Sequence, residues 1–321
     1  MIPAFLHILH RRQGSFRRVS PGILLPVIFL ALQLFLPIAS ARTLTDPVGR
    51  RVDVPASPRR VIALAPSLTE IIFLLNKGPR LKGVTRFSTT PEAARALPRV
   101  GSYVHLDLER IVALHPDLCL AIKDGNPKYI VARIEALGIP VYVVNPLNLQ
   151  GIMTTIKGIG DLLNASTRAE EIVRNMERRI DRVRSRVART HTRPRVFFQI
   201  DAEPMVSVGS RTSINELITL AGGTNVTAGK APYPRLTWEK VLTLQPEIVI
   251  ISSMAGGHTP QWLKGSWRKW PQIPAVRKGK IYLVDSDLFD RPTPHLVDGL
   301  ETLLAIIHPE VAKKGKRTDE R

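Results

Sequence analysis

Two stretches of this 321-residue chain carry acids at matching places: LERIVALHPDLCLAI (108–122) and WEKVLTLQPEIVIIS (238–252). Each copy opens with a capping residue type, Asp107 or Thr237, followed two residues later by Glu109 or Glu239. An apolar helix face follows, then Pro116 or Pro246, which cannot continue a helix, and then an apolar run of strand length. A glutamate in a first helical turn meets free N–H groups and the positive end of the helix dipole, worth about 0.3 to 1 kcal/mol. The same duplicated carboxylates would equally suit a two-fold symmetric partner that offers two cationic groups. The spacing leaves both roles open.

Chemistry of other kinds is poorly supplied. Ser67 follows a strand-like run and there are eight histidines, yet the chain has no G-x-S-x-G, H-E-x-x-H or G-x-x-x-x-G-K-[ST] segment. No catalytic set and no metal-ligand spacing emerges, and an exported hydrolase is the weak rival. Cys119 is the single cysteine and lies inside DLCLAI, where a buried inert thiol is expected. With one cysteine there is no internal disulfide.

The elements that must position the duplicated acids alternate along the chain. VIALAP (61–66) has strand length, and Ser67 or Thr69 is placed to cap the helix that follows. LKGVTRF reads as a strand, PEAARAL as helix, and IVARIEALGIPVYVVNP as helix then buried strand. Strands alternating with helical segments imply crossovers and a parallel sheet. The expected organisation is α/β, with two Rossmann-like lobes of parallel sheet joined by one long rigid interdomain helix. Its parts are an N-terminal hairpin or extension at 42–58, an α/β lobe at 59–146, a connecting segment at 147–193, a second α/β lobe at 194–308 and a basic disordered tail at 309–321. Thr167 and Glu170 stand at capping-box spacing before TRAEEIVRNMERRIDRVRSRVART, a helical pattern of over twenty residues.

Residues 1–41 read as a signal peptide: Arg11, Arg12, Arg17 and Arg18, then an apolar run, then Ala39-Ser40-Ala41. Cleavage after Ala41 gives an exported, soluble protein without a lipid anchor; an uncleaved anchor is the alternative. The formal charge is +19. Such a balance raises nucleic acid as a partner, but the arginine-rich helix and KKGKRTDER lack interleaved aromatics, and an exported chain has little access to it. A solvated helix face and a frayed end are expected, with a sensor or scaffold acting through that helix as a third class.

DPVGRRVDVPASPRRVIALAPSLTEIIFLL, together with LERIVALHPDL and WEKVLTLQPEIV, resembles the periplasmic substrate-binding proteins of ABC importers for cobalamin, iron-siderophores and haem. VGSYVHLDLERIVALHPDLCLAIKDGN, SINELITLAGGTNV, APYPRLTWEKVL and SDLFDRPTP are similar to the cobalamin-binding branch. The resemblance implies a monomer that holds a corrinoid in an interlobe cleft and needs no cofactor of its own. It also implies that Glu109 and Glu239 dock on arginines of a dimeric inner-membrane permease, and it ranks that role above capping. Phe87, Tyr103 and Tyr233 fall at the branch's aromatic ligand positions, and Asp287 and Arg291 in its SD-x-F-x-R segment. Ile122 and Val206 stand where larger aromatics are expected. A corrin is a wide apolar disc rimmed with amides, so flat rings plus a few hydrogen-bonding groups suit it. Phe87 is alternatively a core residue, and Asp287 and Arg291 alternatively pair with each other. Haem is the rival cargo, with Tyr103, His105 or His295 as axial ligand; a ferric siderophore calls for several arginines, of which only Arg291 is nominated.

Overall fold

The computed structural model describes residues 41–229, 231–252 and 259–312. The expected leader, apart from Ala41, and residues 313–321 of the expected tail lie outside them. In chain order the elements are β1 (Ala41–Thr45), β2 (Arg51–Pro55), β3 (Val61–Ala63), α1 (Pro66–Leu74), β4 (Leu81–Val84), α2 (Leu108–Ala113), β5 (Leu118–Ile122), α3 (Lys128–Ala136), β6 (Val141–Val144), α4 (Leu149–Leu162) and α5 (Ser166–Val187). They continue with β7 (Arg195–Ala202), β8 (Met205–Ser207), α6 (Ser213–Leu220), β9 (Thr224–Asn225), α7 (Trp238–Leu244), β10 (Ile248–Ser252), α8 (Pro260–Arg268), α9 (Pro274–Arg277), β11 (Ile281–Val284), α10 (Leu296–Ile307) and α11 (Pro309–Ala312).

Two sheets follow the expected α/β alternation. The first has the order β4-β3-β5-β6 and is parallel throughout. The second has the order β11-β10-β7-β8, with β9 also on β7; only β8 runs antiparallel. Strands of such sheets are buried on both faces, so successive residues enter different cores. Val61, Ala63, Leu118 and Leu120 join one apolar cluster, while Ile62, Leu64, Cys119 and Ala121 join another. Val196, Phe198, Ile248 and Ile250 belong to the first of these clusters as well, whereas Phe197, Val249 and Ile251 pack with Trp267 in a third. One core therefore runs from the first sheet to the second.

α5 contributes to that shared core along one stripe. Ala169, Val173, Met176, Ile180, Val183 and Val187 recur at helical spacing and are all buried, while the arginines between them face outward or pair. Twenty-two residues at 1.5 Å rise give a helix about 33 Å long. Its start differs from the expected capping box. The left-handed Asn164 and an Ala165 N–H to Gly160 O bond of 2.7 Å close the preceding helix, so α5 begins at Ser166 after Ala165, with no side-chain cap. Glu170 pairs with Arg174 instead, at 3.1 Å. Neither Ser67 nor Thr69 caps α1: Pro66 is its first residue, and the Thr69 hydroxyl turns inward to Ser88 at 3.1 Å. PEAARAL forms a 3-10 turn over Glu92–Ala96, and Pro309–Ala312 adds a helical turn where a frayed end was expected.

The β1–β2 hairpin covers an open sheet edge. Buried Asp46 accepts from the Val48 and Arg50 amides to make the turn, and Gly49 takes φ +86°. Arg50 donates to Val141 O at 2.7 Å and Asp46 accepts from the Val143 N–H, which satisfies outward-facing groups of edge strand β6.

Candidate functional site

The sequence repeat is a structural one. β5 lies between β3 and β6 in the first sheet, and β10 lies between β7 and β11 in the second. Asp107 caps α2 by accepting from Arg110 N, and Thr237 caps α7 by accepting from Lys240 N. Both helices end in a left-handed residue directly before the proline, His115 and Gln245, each at φ 44°. Asp117 then accepts from the Arg59 and Arg60 amides, and Glu247 from the Arg195 amide. The arginine side chains return to the same turn: Arg60 donates to Leu114 O and Arg195 to Leu244 O, both at 2.6 Å. Arg60 and Arg195, not singled out by sequence, fix each helix–strand unit to the first strand of its own sheet. Glu109 and Glu239 thus stand exposed at equivalent first-turn positions. A hydrogen bond from Thr237, and next one from its own backbone N–H, hold the Glu239 carboxyl below its ordinary range.

Of the expected ligand residues, Phe87, Tyr103, Tyr233, Asp287 and Arg291 lie in loops beyond the carboxyl ends of parallel strands, where open α/β sheets surround a crevice, whereas Ile122 and Val206 lie on strands. Phe87 and Tyr103 share the long connection after β4, with ring centroids 6.4 Å apart in an edge-on arrangement of 64°. Phe87 is 50% exposed, so it is not a core residue. The Tyr103 loop is a tight one: Ser102 N–H donates to His105 O, and His105 N–H to Ser102 Oγ. Gly101 sits at φ +96° with the His105 carbonyl so close that any Cβ there would collide with it. Buried Asn126 ties three pieces together, donating to Leu64 O and Tyr103 O and accepting from Ile122 N–H, all at 2.8 Å. Its place in an ordinary-looking D-G-N turn concealed this role. Ile122 ends β5 and is half-buried.

On the second sheet, Val206 lies on β8, half-buried and bridged to Arg235. The segment carrying Tyr233 runs alongside β8, since Ser207 N–H donates to Pro234 O and Leu236 N–H to Met205 O. Tyr233 is 58% exposed, yet desolvation of its hydroxyl and then the charges of Asp124 and Asp290 push it above the ordinary tyrosine range. Tyr233 therefore lies within electrostatic reach of the loop after β5 and of the loop after β11, which belong to different sheets.

The loop after β11 supplies the charged groups. Phe289 packs edge-on against Phe198 of β7 at 5.2 Å and anchors it. Asp287 and Arg291 do pair, at 3.3 Å, but the closer partner of Arg291 is Glu70 of α1, at 2.5 Å and from the other half. Glu70 is 5% exposed, and its burial pushes the carboxyl up against the pull of Arg291. Neither it nor Asp290 was nominated by sequence, although a single acid inside SLTEIIFLL was a visible signal. Asp290 Oδ1 is buried and has no hydrogen-bond partner among the described residues. Burial, then Asp287, push its carboxyl up to about 7. His295 pairs with Asp298 at 2.9 Å. Cys119 is buried, and desolvation pushes its thiol up to about 12. Among the described residues no group of three or more His, Cys, Asp and Glu is arranged to hold a metal ion.

Two sheets, one parallel and one parallel but for β8, built on one repeated unit with aromatic and charged loops gathered at their strand ends, define an α/β protein of the solute-binding type. The chain belongs to the periplasmic binding protein family, whose model matches residues 61–288. It is 31% identical to a vitamin B12-binding protein of Vibrio campbellii over 244 residues, 75% of this chain and 86% of that one. The crystal structure of a periplasmic vitamin B12-binding protein of Vibrio cholerae superposes with a TM-score of 0.69 at 28% identity, covering 81% of this chain and all of the other. A periplasmic haem-binding protein of Pseudomonas aeruginosa matches with a TM-score of 0.70 at 25% identity, over 79% of this chain and 94% of that one. These relatives are binding proteins, and the chain is not an enzyme. No described helix is long and apolar enough to cross a membrane.

Proposed function

We propose that this protein captures a cobalamin-type corrinoid between the carboxyl ends of its two sheets and delivers it to the dimeric permease of an ABC importer. The observation that carries the reading is that Tyr233 lies within electrostatic reach of both Asp124, after β5, and Asp290, after β11, with the Phe87–Tyr103 pair on the loop after β4. Three aromatic faces can cover a flat apolar disc. The acids Asp124, Asp287 and Asp290 accept hydrogen bonds and so suit amide N–H groups at its rim. The one arginine nominated for this region is already engaged by Glu70 and Asp287, while Arg86, Lys123 and Arg235, close in sequence to Phe87, Asp124 and Tyr233, are exposed. The likeness to vitamin B12-binding relatives favours a corrinoid over haem or a ferric siderophore. Haem stays the second reading, through the exposed phenol of Tyr103 and the likeness to haem-binding structures.

In this reading residues 59–146 and 194–308 act as two lobes and α5 as the rod between them. Glu109 and Glu239 present one carboxylate per lobe to two equivalent arginine sites on the permease. The leader is removed after Ala41, and the protein works as a periplasmic monomer. Titration of purified residues 42–321 with cyanocobalamin, cobinamide, haemin and a ferric siderophore tests the cargo. Tight binding of the two corrinoids and weak binding of the other two is expected; preference for haemin would overturn the assignment.

A further inference from the structure

We infer that Glu70 and Arg291 form a clasp between the two halves that sets the spacing of the loops around the cargo space, so that Arg291 acts as a positioning residue. The pair joins residues 221 apart in the chain, from helix α1 behind the first sheet to the loop after the last strand of the second. Both ends are held by packed structure. α1 buries Leu68, Ile71 and Ile72 on either side of Glu70, and Phe289 is fixed on Phe198 two residues before Arg291. The Glu70 side chain is 6% exposed and that of Arg291 20%, so the bond is largely shielded from water and screened little by salt. Charge continues outward from it: Asp287 holds the other side of the guanidinium, while His295 pairs with Asp298, which Arg179 of α5 grips together with Glu301. His295 is within electrostatic reach of Glu70, and α5 packs its buried stripe into the core common to both sheets. A second long-range bond runs from Leu149 N–H at the start of α4 to Glu216 Oε2 of α6 at 2.8 Å. An arginine tied down at both sides of its fork presents a fixed edge, and removing Glu70 leaves a shielded cation without its main counter-charge.

The inference rests on the cargo reading for its consequence but not for its test. Cysteines introduced as Ala136→Cys and Lys278→Cys, on exposed positions of the two halves, take spin labels while buried Cys119 does not. In ligand-free protein the distance distribution should be narrow for the parent and broadened for Glu70→Gln and for Arg291→Gln. The double variant should be no broader than either single one. An unchanged distribution in Glu70→Gln overturns the clasp; if that variant does not fold, Arg291→Gln gives the same comparison from the more exposed end. Cyanocobalamin association should slow roughly fivefold or more in Glu70→Gln, because a smaller fraction of molecules is competent to bind. Arg291→Gln should then add little in the Glu70→Gln background. An equal loss in both backgrounds would show that Arg291 touches the cargo and would contradict a purely positioning role. Absence of corrinoid binding in the parent would remove the cargo reading, while the ligand-free distances still decide the clasp.

Discussion

At the scale of single residues, the account rests on exposed rings and on one carboxyl with a buried oxygen. Tyr103 and Tyr233 are 38% and 58% exposed, more than a packed core allows; backbone bonds close the Tyr103 loop on itself and tie the Tyr233 segment to β8. Replacing both by alanine should weaken cyanocobalamin binding by at least about 1 to 3 kcal/mol, from lost aromatic contact and lost ordering, as read by calorimetry. Asp290 gives a pH signature. It is faced by Asp285, Asp287 and Arg291 on its own loop and by Tyr233 from the loop beside β8. Its folded-state value near 7 lies above that of the unfolded chain, so the folded state binds the proton more tightly. Its stabilising contribution is complete below the ordinary aspartate range and is lost as pH rises through about 7. Asp290→Asn should therefore raise the melting temperature at pH 8 and flatten its dependence between pH 5.5 and 8. A variant that melts lower than the parent at pH 8 would contradict this.

At the scale of elements, the repeat was legible because apolar runs of strand length, capping residue types and prolines are local signals. Asp107, Thr237, Pro116 and Pro246 each take the part that their types dictate. What failed was also local: Thr167 and Glu170 match a capping box, yet the left-handed Asn164 starts the helix two residues earlier. Long-range polar ties left no trace of their partners. Nothing in a single chain pairs Glu70 with Arg291 or links Asn126 to Leu64 and Tyr103, since those partners meet only when strand ends converge. Exposed Glu109 and Glu239 carry the prediction proper to this scale. Changing both to alanine should leave corrinoid affinity within about twofold and lower uptake through the permease in membrane vesicles by tenfold or more. Undiminished uptake would reduce the two acids to helix-terminus residues.

For the whole molecule, one apolar core extends from the first sheet through the stripe of α5 to the second, so the sheets are not independent bodies joined by a loose linker. The loops that carry Phe87, Tyr103, Tyr233, Asp287 and Asp290 all leave the carboxyl ends of those sheets or the strand beside them. A separate hollow of about 470 Å3, between the hairpin and α3, reaches Ile122 and Asn126 but none of these loops. The central claim is that cargo lies between the two sheets. Crystals grown with cyanocobalamin test it directly: density for the corrin ring should lie between the Tyr103 loop and the Tyr233 and Asp287 loops, touching both halves. Density confined to one half, or seated in the hollow beside Arg50 and Lys128, would contradict the account.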